Sequence, residues 1–378
     1  MKYYIKIALQ HLAMGIIIPI AIIWKTQNGL SVSEAVMTEA IVLLTTALID
    51  LPAGFVANAI NNKRALLIGG LLHLVGMALL AVGGSLPVFI VAAVITGAAW
   101  AFVSGADEAY LHDDYIERKD TYKKHFSTVT IVDEAFTILG MLFASLLLVL
   151  DVNLRVLFSI ATAILFVHLL YTWAVLPASK RLPDTHPVHV ARKFSPNILR
   201  QKEVLAVIPI MIAFAVIYEA GRPLWQPHMQ AMGINLASFG VLFALFKVAS
   251  IGGSVLSRAR DFNLRDLIVV FAIMLGSLLV FGLSLKSFSV AALCMYLFTE
   301  NYFRVYMSTV LNSVIENNRA AVLSFGSVIR NAAGALIVAG AGVLSSVSIM
   351  LALTLLVAIK VPAIIYTLKM YGSLGQRN

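Results

Sequence analysis

Acidic side chains stand inside long apolar segments of this sequence, where a charge is costly. Asp107 and Glu108 lie in AFVSGADEAY, Asp133 and Glu134 lie in IVDEAFTILG, and Asp50 lies in TTALIDLPAG. Because a low dielectric and a like-charged neighbour both favour the protonated carboxyl group, such residues can bind and release protons near neutral pH. They are therefore the candidates for proton coupling, with protons as the expected coupling ion.

A structural role is the alternative for these acids, which could cap helix ends or balance Lys123 and Lys124 in an adjacent loop. A similar choice applies to Glu300 and Arg304 in the segment ENYFR. The two residues are four positions apart, so they share one helix face and can satisfy each other. That pair is either part of a binding site or simply structural.

Other chemistries lack the residues they need. The single cysteine, Cys294, excludes disulfides within the chain and cysteine-rich metal sites. His11, His73 and His168 fall in apolar segments, but their spacing does not suggest a metal site. The sequence contains neither a GxxxxGK[ST] phosphate loop nor an HExxH motif. We therefore expect no metal, no cofactor and no catalytic residues, and the chain is not expected to be an enzyme.

The composition requires that these residues be held by membrane-spanning helices. Hydrophobic residues make up 60% of the chain and charged residues only 12%, whereas soluble domains carry about a quarter charged residues. A spanning helix needs about 20 mostly apolar residues, so 378 residues could hold twelve such helices. The first apolar run is too long for a signal peptide and lacks a small-residue cleavage site, so we expect it to be retained.

Two sets of six apolar runs divide the chain. The first set covers approximately 4–24, 35–58, 65–83, 87–110, 127–150 and 154–176, and the second covers 204–226, 235–257, 266–286, 289–312, 321–343 and 346–369. The segment between the sets is rich in proline and basic residues, as a solvated linker would be. We predict an N-terminal six-helix bundle (1–176), a cytoplasmic linker (177–203) and a C-terminal six-helix bundle (204–378).

Basic residues predict the orientation of these helices. Most lysines and arginines, beginning with Lys2 and Lys6, fall in alternate loops, and the opposite loops hold Lys25, Arg155, Arg222 and Lys286. The positive-inside rule then places both termini in the cytoplasm of a multi-pass protein of the cell membrane. The net charge of +9 is explained by topology, so lipid rather than nucleic acid is the expected partner.

The segment DLPAGFVANAINNKRALLIGG resembles the signature of the major facilitator superfamily, in which G-x-x-x-D precedes a turn and a basic pair. Gly54, Asn58, Lys63 and Arg64 occupy these places and would form a cytoplasmic gating turn. The sequence departs from the signature by placing Asn58 where an aspartate is usual and Asn61 where a glycine is usual. The segments SGADEAYLHDD and YEAGRPLWQPHMQAMGI also look like parts of bacterial permeases of this superfamily.

The resemblance implies a monomer of two pseudo-symmetric six-helix bundles that works by alternating access. It also implies contacts between the halves, because helices two and eleven touch in that architecture. We hypothesise that Asp50 pairs with Arg330, and that Asp133 or Glu134 pairs with Lys247, with solvation of each charge on its own helix as the alternative. Such pairs would close the cytoplasmic side and part when the halves rock.

Aromatic and charged residues on helices that line the cavity in this superfamily are the candidates for binding substrate. They are Trp100, Tyr218, Glu219, Trp225, Glu300 and Arg304. Aromatic rings beside an acid suit an amphipathic cation, although tryptophan and arginine are also common at membrane interfaces.

The leading functional hypothesis is proton-coupled efflux of hydrophobic or cationic small molecules, such as drugs or antibiotics. The alternatives are uptake or export of one defined metabolite, such as a sugar, an amino-acid derivative or a peptide-like compound, and a non-transporting membrane sensor.

Overall fold

The computed structural model describes residues 2–115, 119–177, 202–219, 221–258, 263–283, 286–314 and 319–374. All regular secondary structure in these residues is helical. The predicted linker, 177–203, falls almost entirely outside the described residues.

The first half of the chain contains seven described α-helices. They are α1 (Lys2–Ile17), α2 (Ala21–Gln27), α3 (Val32–Ile60), α4 (Asn62–Val82), α5 (Leu86–Tyr115), α6 (Lys119–Val149) and α7 (Leu154–Val175).

The second half contributes a further seven described α-helices. They are α8 (Lys202–Tyr218), α9 (Trp225–Ala231), α10 (Phe239–Arg258), α11 (Leu264–Gly282), α12 (Lys286–Val314), α13 (Arg319–Ser345) and α14 (Ile349–Leu374). A short 3-10 helix, Arg222–Leu224, precedes α9.

Ten spans in the described part are long and apolar enough to cross a membrane. The pair α1 and α2, bent by 48°, makes an eleventh. The 29-residue helix α12 is the remaining candidate, and its lower apolarity comes from charged residues that include Glu300 and Arg304. Counting α12, the helices agree with the twelve predicted spans.

Asparagine side chains begin several of these helices. The side chains of Asn61, Asn153 and Asn263 accept hydrogen bonds from backbone N–H groups in the first turns of α4, α7 and α11. Such caps satisfy donors that a helix leaves unpaired at its start. The short polar turns in the sequence therefore stop one span and start the next.

Contacts divide the chain into two compact units. The first unit comprises Met1–Leu30, Ile41–Ser195 and Leu236–Val241, and the second comprises Ser31–Ala40, Pro196–Asn235 and Leu242–Asn378.

Glycines allow backbones to approach closely inside each unit. In the first unit, a Cβ atom added to Gly140 would lie 2.9 Å from Cα of Gly15, so α1 and α6 pack backbone against backbone. In the second unit, a Cβ on Gly253 of α10 would collide with the carbonyl oxygen of Phe298 on α12. Small residues serve this purpose in membrane helices because they remove the side chain that would hold the helices apart.

Candidate functional site

A buried carboxylate lies at the centre of the charged residues in the second unit. Glu300, on α12, is 0% exposed. Its Oε2 accepts a hydrogen bond of 3.2 Å from Nη2 of Arg222, and its Oε1 accepts one of 2.9 Å from the hydroxyl of Tyr296. Tyr296 and Glu300 lie one turn apart on α12, which is why their side chains meet. Two donors thus compensate the burial of this charge.

Lys360, on α14, brings a second cation to the same place and is also 0% exposed. Its ammonium donates to the carbonyl oxygens of Val216 and Ile217 and, at 2.9 Å, to the hydroxyl of Tyr296. The two carbonyls belong to the last turn of α8, where C=O groups lack partners within the helix. A cation is favoured there because the carbonyl dipoles point towards it.

Further charged and aromatic groups surround Glu300. The hydroxyl of Tyr218 donates to the backbone carbonyl of Glu300 at 3.1 Å, and Glu219 interacts electrostatically with both Arg222 and Lys360. We name this set the Glu300 cluster; its members are Tyr218, Glu219, Arg222, Tyr296, Glu300 and Lys360.

The structure gives Glu300 a different partner from the one expected. Arg304, four residues further on, is exposed, and its guanidinium carbon lies 6.0 Å from the centroid of the Tyr218 ring. The ion pair of Glu300 is made with Arg222 instead. Arg222 reaches the carboxylate because the chain turns at Gly221, whose φ of 97° is left-handed, and a glycine adopts that conformation without strain.

Aromatic rings border the cluster. The ring of Trp225 lies 6.2 Å from that of Tyr296 in an edge-to-face arrangement and is 7% exposed. The rings of Phe214 and Tyr218 are 5.0 Å apart. Five of the six predicted substrate-cavity residues therefore lie in or beside this cluster. The sixth, Trp100, belongs to the first unit, where it packs on His73.

An ion pair in the first unit joins α1 to α5. Nζ of Lys6 lies 2.6 Å from Oδ1 and 2.8 Å from Oδ2 of Asp107, and the Tyr3 hydroxyl donates to Oδ1 at 2.8 Å. The side chain of Lys6 is only 1% exposed, whereas that of Asp107 is 21% exposed. The position of Lys6 near the N-terminus predicts a loop cation, but the structure places it within α1.

The other predicted acids of the first unit also have neighbours within that unit. Oδ1 of Asp133 lies 2.5 Å from Nδ1 of His11, and the Thr137 hydroxyl donates to the same oxygen at 3.3 Å. Glu134 follows on α6 and is half-buried. The hydroxyl of Ser104 lies 3.5 Å from Oδ1 of Asp50, at the limit of a hydrogen bond.

The predicted pairs between the halves stay predictions. Asp50 and the Asp133–Glu134 pair belong to the first unit, and Lys247 and Arg330 belong to the second. Lys247 on α10 and Arg330 on α13 are both half-buried. The side chain of Glu108 lies outside the described part of the structure.

The predicted gating turn connects α3 to α4. Asn61 has a φ of 82°, and its side chain accepts from the N–H of Arg64 at 3.0 Å. Nζ of Lys63 donates to the carbonyl oxygens of Trp173 and Leu176, which ties the turn to the end of α7. Gly54 lies on α3, and the side chain of Asn58 is outside the description.

The buried lysines Lys6, beside Asp107, and Lys360, in the Glu300 cluster, are not among the predicted site residues. The distribution of basic residues predicts Lys6 to be a cytoplasmic cation. Lys360 interrupts the apolar run LLVAIKVPAII, and a single cation in a spanning segment is by default a candidate functional residue. That signal could have identified it.

The model of the Major Facilitator Superfamily matches residues 4–339 of the chain. The chain belongs to the major facilitator superfamily. It is therefore a transporter rather than an enzyme, and a multi-pass membrane protein. No curated protein matches the chain.

Solved transporters share this fold. A mutant of the nucleoside transporter NupG has a TM-score of 0.76 at 12% identity, covering 98% of this chain and 99% of that chain. A D-xylose-proton symporter has a TM-score of 0.71 at 13% identity, covering 97% and 96%. A mutant peptide transporter POT has a TM-score of 0.75 at 14% identity, covering 99% and 94%. These likenesses confirm the predicted fold class.

Proposed function

We propose that this chain is a proton-coupled secondary transporter of a small organic molecule, with Glu300 as its coupling carboxylate. The observation that carries the proposal is the complete burial of Glu300 between Arg222 and Tyr296, with Lys360 bound to the same tyrosine. A purely apolar packing of similar volume is often at least as stable as a buried ion pair. Such a costly arrangement in a transporter is a functional candidate.

The cluster can couple proton binding to substrate binding, because the substrate can compete with Glu300 for Arg222. While Arg222 binds Glu300, the carboxylate is stabilised in its charged form. A substrate or a conformational change that removes this cation leaves a carboxylate in a dry site, where the protonated form is the less costly one. Binding of substrate and binding of a proton would then depend on each other.

Ion pairs that take one residue from each unit form the gate in this proposal. Asp50 with Arg330, and Asp133 or Glu134 with Lys247, would close the cytoplasmic side and separate as the units rock. The Asp107–Lys6 and Asp133–His11 contacts are secondary candidates for proton binding. We place both termini in the cytoplasm, in keeping with the distribution of basic residues, and take the monomer as the working unit.

Export of hydrophobic or cationic compounds by proton antiport is one candidate for the transport activity. The aromatic rings of Tyr218, Tyr296 and Trp225 beside Glu300 support it, because an acid among aromatic faces suits an organic cation. Lower accumulation of a fluorescent lipophilic cation in efflux-deficient bacteria that express the chain, reversed by a protonophore, would favour this candidate.

Transport of one defined metabolite is the second candidate. The cations Arg222 and Lys360 favour it, because a few fixed polar groups give a binding site its specificity. Saturable transport of a single solute, without any change in the accumulation of lipophilic cations, would favour this candidate.

Proton coupling is tested in proteoliposomes with solutes first selected by thermal stabilisation of the purified protein. We expect an imposed pH gradient to drive accumulation of the selected solute, and the solute to change the internal pH reported by a trapped dye. Glu300→Gln should abolish both effects. Solute accumulation by the wild-type protein that does not change with the pH gradient would contradict the proposal.

A further inference from the structure

Two donors at the Glu300 cluster have no acceptor among the described residues. Nε of Arg222 and Nε1 of Trp225 are buried, and neither has a hydrogen-bond partner in the described part of the structure. Both atoms can only donate. Because an unmade hydrogen bond of a buried donor is costly, the two N–H groups indicate that an acceptor binds here.

The two donors come from one short segment. Arg222 begins the 3-10 helix and Trp225 begins α9 three residues later, and side chains three residues apart in a 3-10 helix lie on the same side. Nη2 of Arg222 contacts Glu300. The guanidinium therefore binds the protein's own carboxylate through one terminal nitrogen, and its Nε–H remains for another acceptor.

The charges around the segment select the kind of acceptor. Arg222 binds Glu300, Lys360 binds Tyr296, and Arg304 lies 6.0 Å from the Tyr218 ring. These three cations face two carboxylates, Glu300 and Glu219, the residue after Tyr218, so positive charge is in excess by one. An ammonium group would increase this excess and could not accept from either donor, whereas a monoanion satisfies both requirements.

We propose that Arg222 and Trp225 form the binding site for a carboxylate group of the transported solute. A carboxylate is planar and carries two acceptor oxygens, and its hydrogen bonds with a charged donor such as a guanidinium are strong. One of its oxygens accepts from Nε of Arg222 and the other from Nε1 of Trp225. The aromatic rings of Trp225 and Tyr296 then border the part of the solute next to this group. This inference rests on the proposed transport function.

Paired ligands that differ only in the charged group test the site. The purified full-length protein is titrated with 3-phenylpropionate, nicotinate and N-acetylphenylalanine, each beside its amide, and binding is measured by calorimetry and by thermal stabilisation. We expect at least one acid to bind at least tenfold more tightly than its amide. Equal binding of every acid and its amide, or failure of all three acids to bind at millimolar concentration, would overturn the proposal.

Variants distinguish loss of the binding site from a general loss of protein stability. Trp225→Phe keeps the ring but removes Nε1–H, so it should weaken binding of the acid about tenfold, as expected for one hydrogen bond to a charged group, and leave the amide unchanged. Arg222→Lys keeps the positive charge but removes Nε–H, so it should weaken binding of the acid at least as much. Trp24→Phe is the matched control, because Nε1 of Trp24 donates to the carbonyl of Leu80 in the first unit.

The binding assay uses no proton gradient, so the two proposals can fail separately. Acid-selective binding that depends on Trp225, together with transport that does not depend on the pH gradient, would support the carboxylate site and overturn proton coupling. Gradient-driven transport of a neutral or cationic solute, with no acid-selective binding, would support proton coupling and overturn the carboxylate site. Loss of acid selectivity in Trp24→Phe to the same extent as in Trp225→Phe would also overturn the site.

Discussion

The Asp107 carboxylate of the first unit pairs with one cation of the described residues, Lys6, and its side chain keeps 21% of its surface exposed. The Glu300 carboxylate of the second unit is completely buried and is bound by Arg222 and by a tyrosine that also binds Lys360. Water can compensate for a lost partner at Asp107 but not at Glu300. The two acids therefore differ in how strongly their charge depends on neighbouring protein groups.

Removal of each carboxylate tests this difference most severely. Glu300→Ala leaves the buried Lys360 and the Arg222 side chain, which is 40% exposed, without the carboxylate beside them and should destabilise the protein by about 3–5 kcal/mol. Asp107→Ala also leaves a buried cation, Lys6, without its carboxylate, but it should cost less, about 1.5–3 kcal/mol, because water reaches the partly exposed position of Asp107. Thermal unfolding of the purified variants measures the order. A larger loss for Asp107→Ala would contradict the comparison.

The glycines Gly54 and Gly253 occupy similar places in the two halves of the sequence, each ahead of a basic turn, yet they have different surroundings. A Cβ on Gly253 would collide with the Phe298 carbonyl, whereas one on Gly54 meets no described atom within 4 Å. We expect Gly253→Ala to destabilise the protein by about 1–3 kcal/mol. Gly54→Ala should be neutral or stabilising by up to about 1 kcal/mol.

Thermal unfolding and expression level of the two glycine variants test this expectation. If both are equally destabilised, the described packing does not account for the role of Gly253.

Tyrosine hydroxyls offer a milder comparison of the two sites. Tyr296→Phe removes the group that links Glu300 to Lys360 and should cost roughly 2 kcal/mol. Tyr3→Phe removes one hydrogen bond to the partly exposed Asp107 and should cost roughly 1 kcal/mol. Thermal unfolding of the two variants measures both losses of stability, and their ratio tests the comparison. Equal losses would show that burial does not separate the sites.

Relief of backbone strain at one residue gives the smallest expected change in protein stability. Asn61 in the first unit has φ 82° and ψ 155°, a region that glycine adopts more readily than other residues. In the described part of the second unit, positive φ values occur at the glycines Gly221 and Gly233. Asn61→Gly loses a cap worth a few tenths of a kcal/mol but relieves strain, so it should stabilise the protein by about 1 kcal/mol.

A lower unfolding temperature for Asn61→Gly would contradict that account. Asn153→Gly is the control, because Asn153 also caps a helix but has an ordinary φ of −63°. It should lose stability through its missing cap without any compensating relief.

Apolar length and charged turns were sufficient to predict the helices. The predicted runs 35–58 and 154–176 correspond to α3 and α7, because a lipid environment leaves a long apolar segment no alternative to a helix. The bend between α1 and α2 was not predicted, although Pro19 in the run IIIPIAIIW lacks the backbone N–H that would continue the helix.

Partners of intramembrane charges were harder to predict than the charges themselves. Asp107, Glu219 and Glu300 were identified because acids in apolar runs are conspicuous. The i, i+4 rule assigned Arg304 to Glu300, but the turn at Gly221 brings Arg222 to it. Tertiary contacts between distant segments decide such pairings, and local spacing carries no information about them.

The most direct test of the central claim is to compare solute exchange with uphill accumulation in Glu300→Gln and Asp107→Asn proteoliposomes. A coupling carboxylate is needed for net proton-driven transport but not for exchange of solute across a membrane without a gradient. We predict that Glu300→Gln retains exchange and loses accumulation, whereas Asp107→Asn retains both in part. Accumulation driven by the pH gradient in Glu300→Gln at the wild-type level would contradict the assignment of Glu300 as the coupling carboxylate.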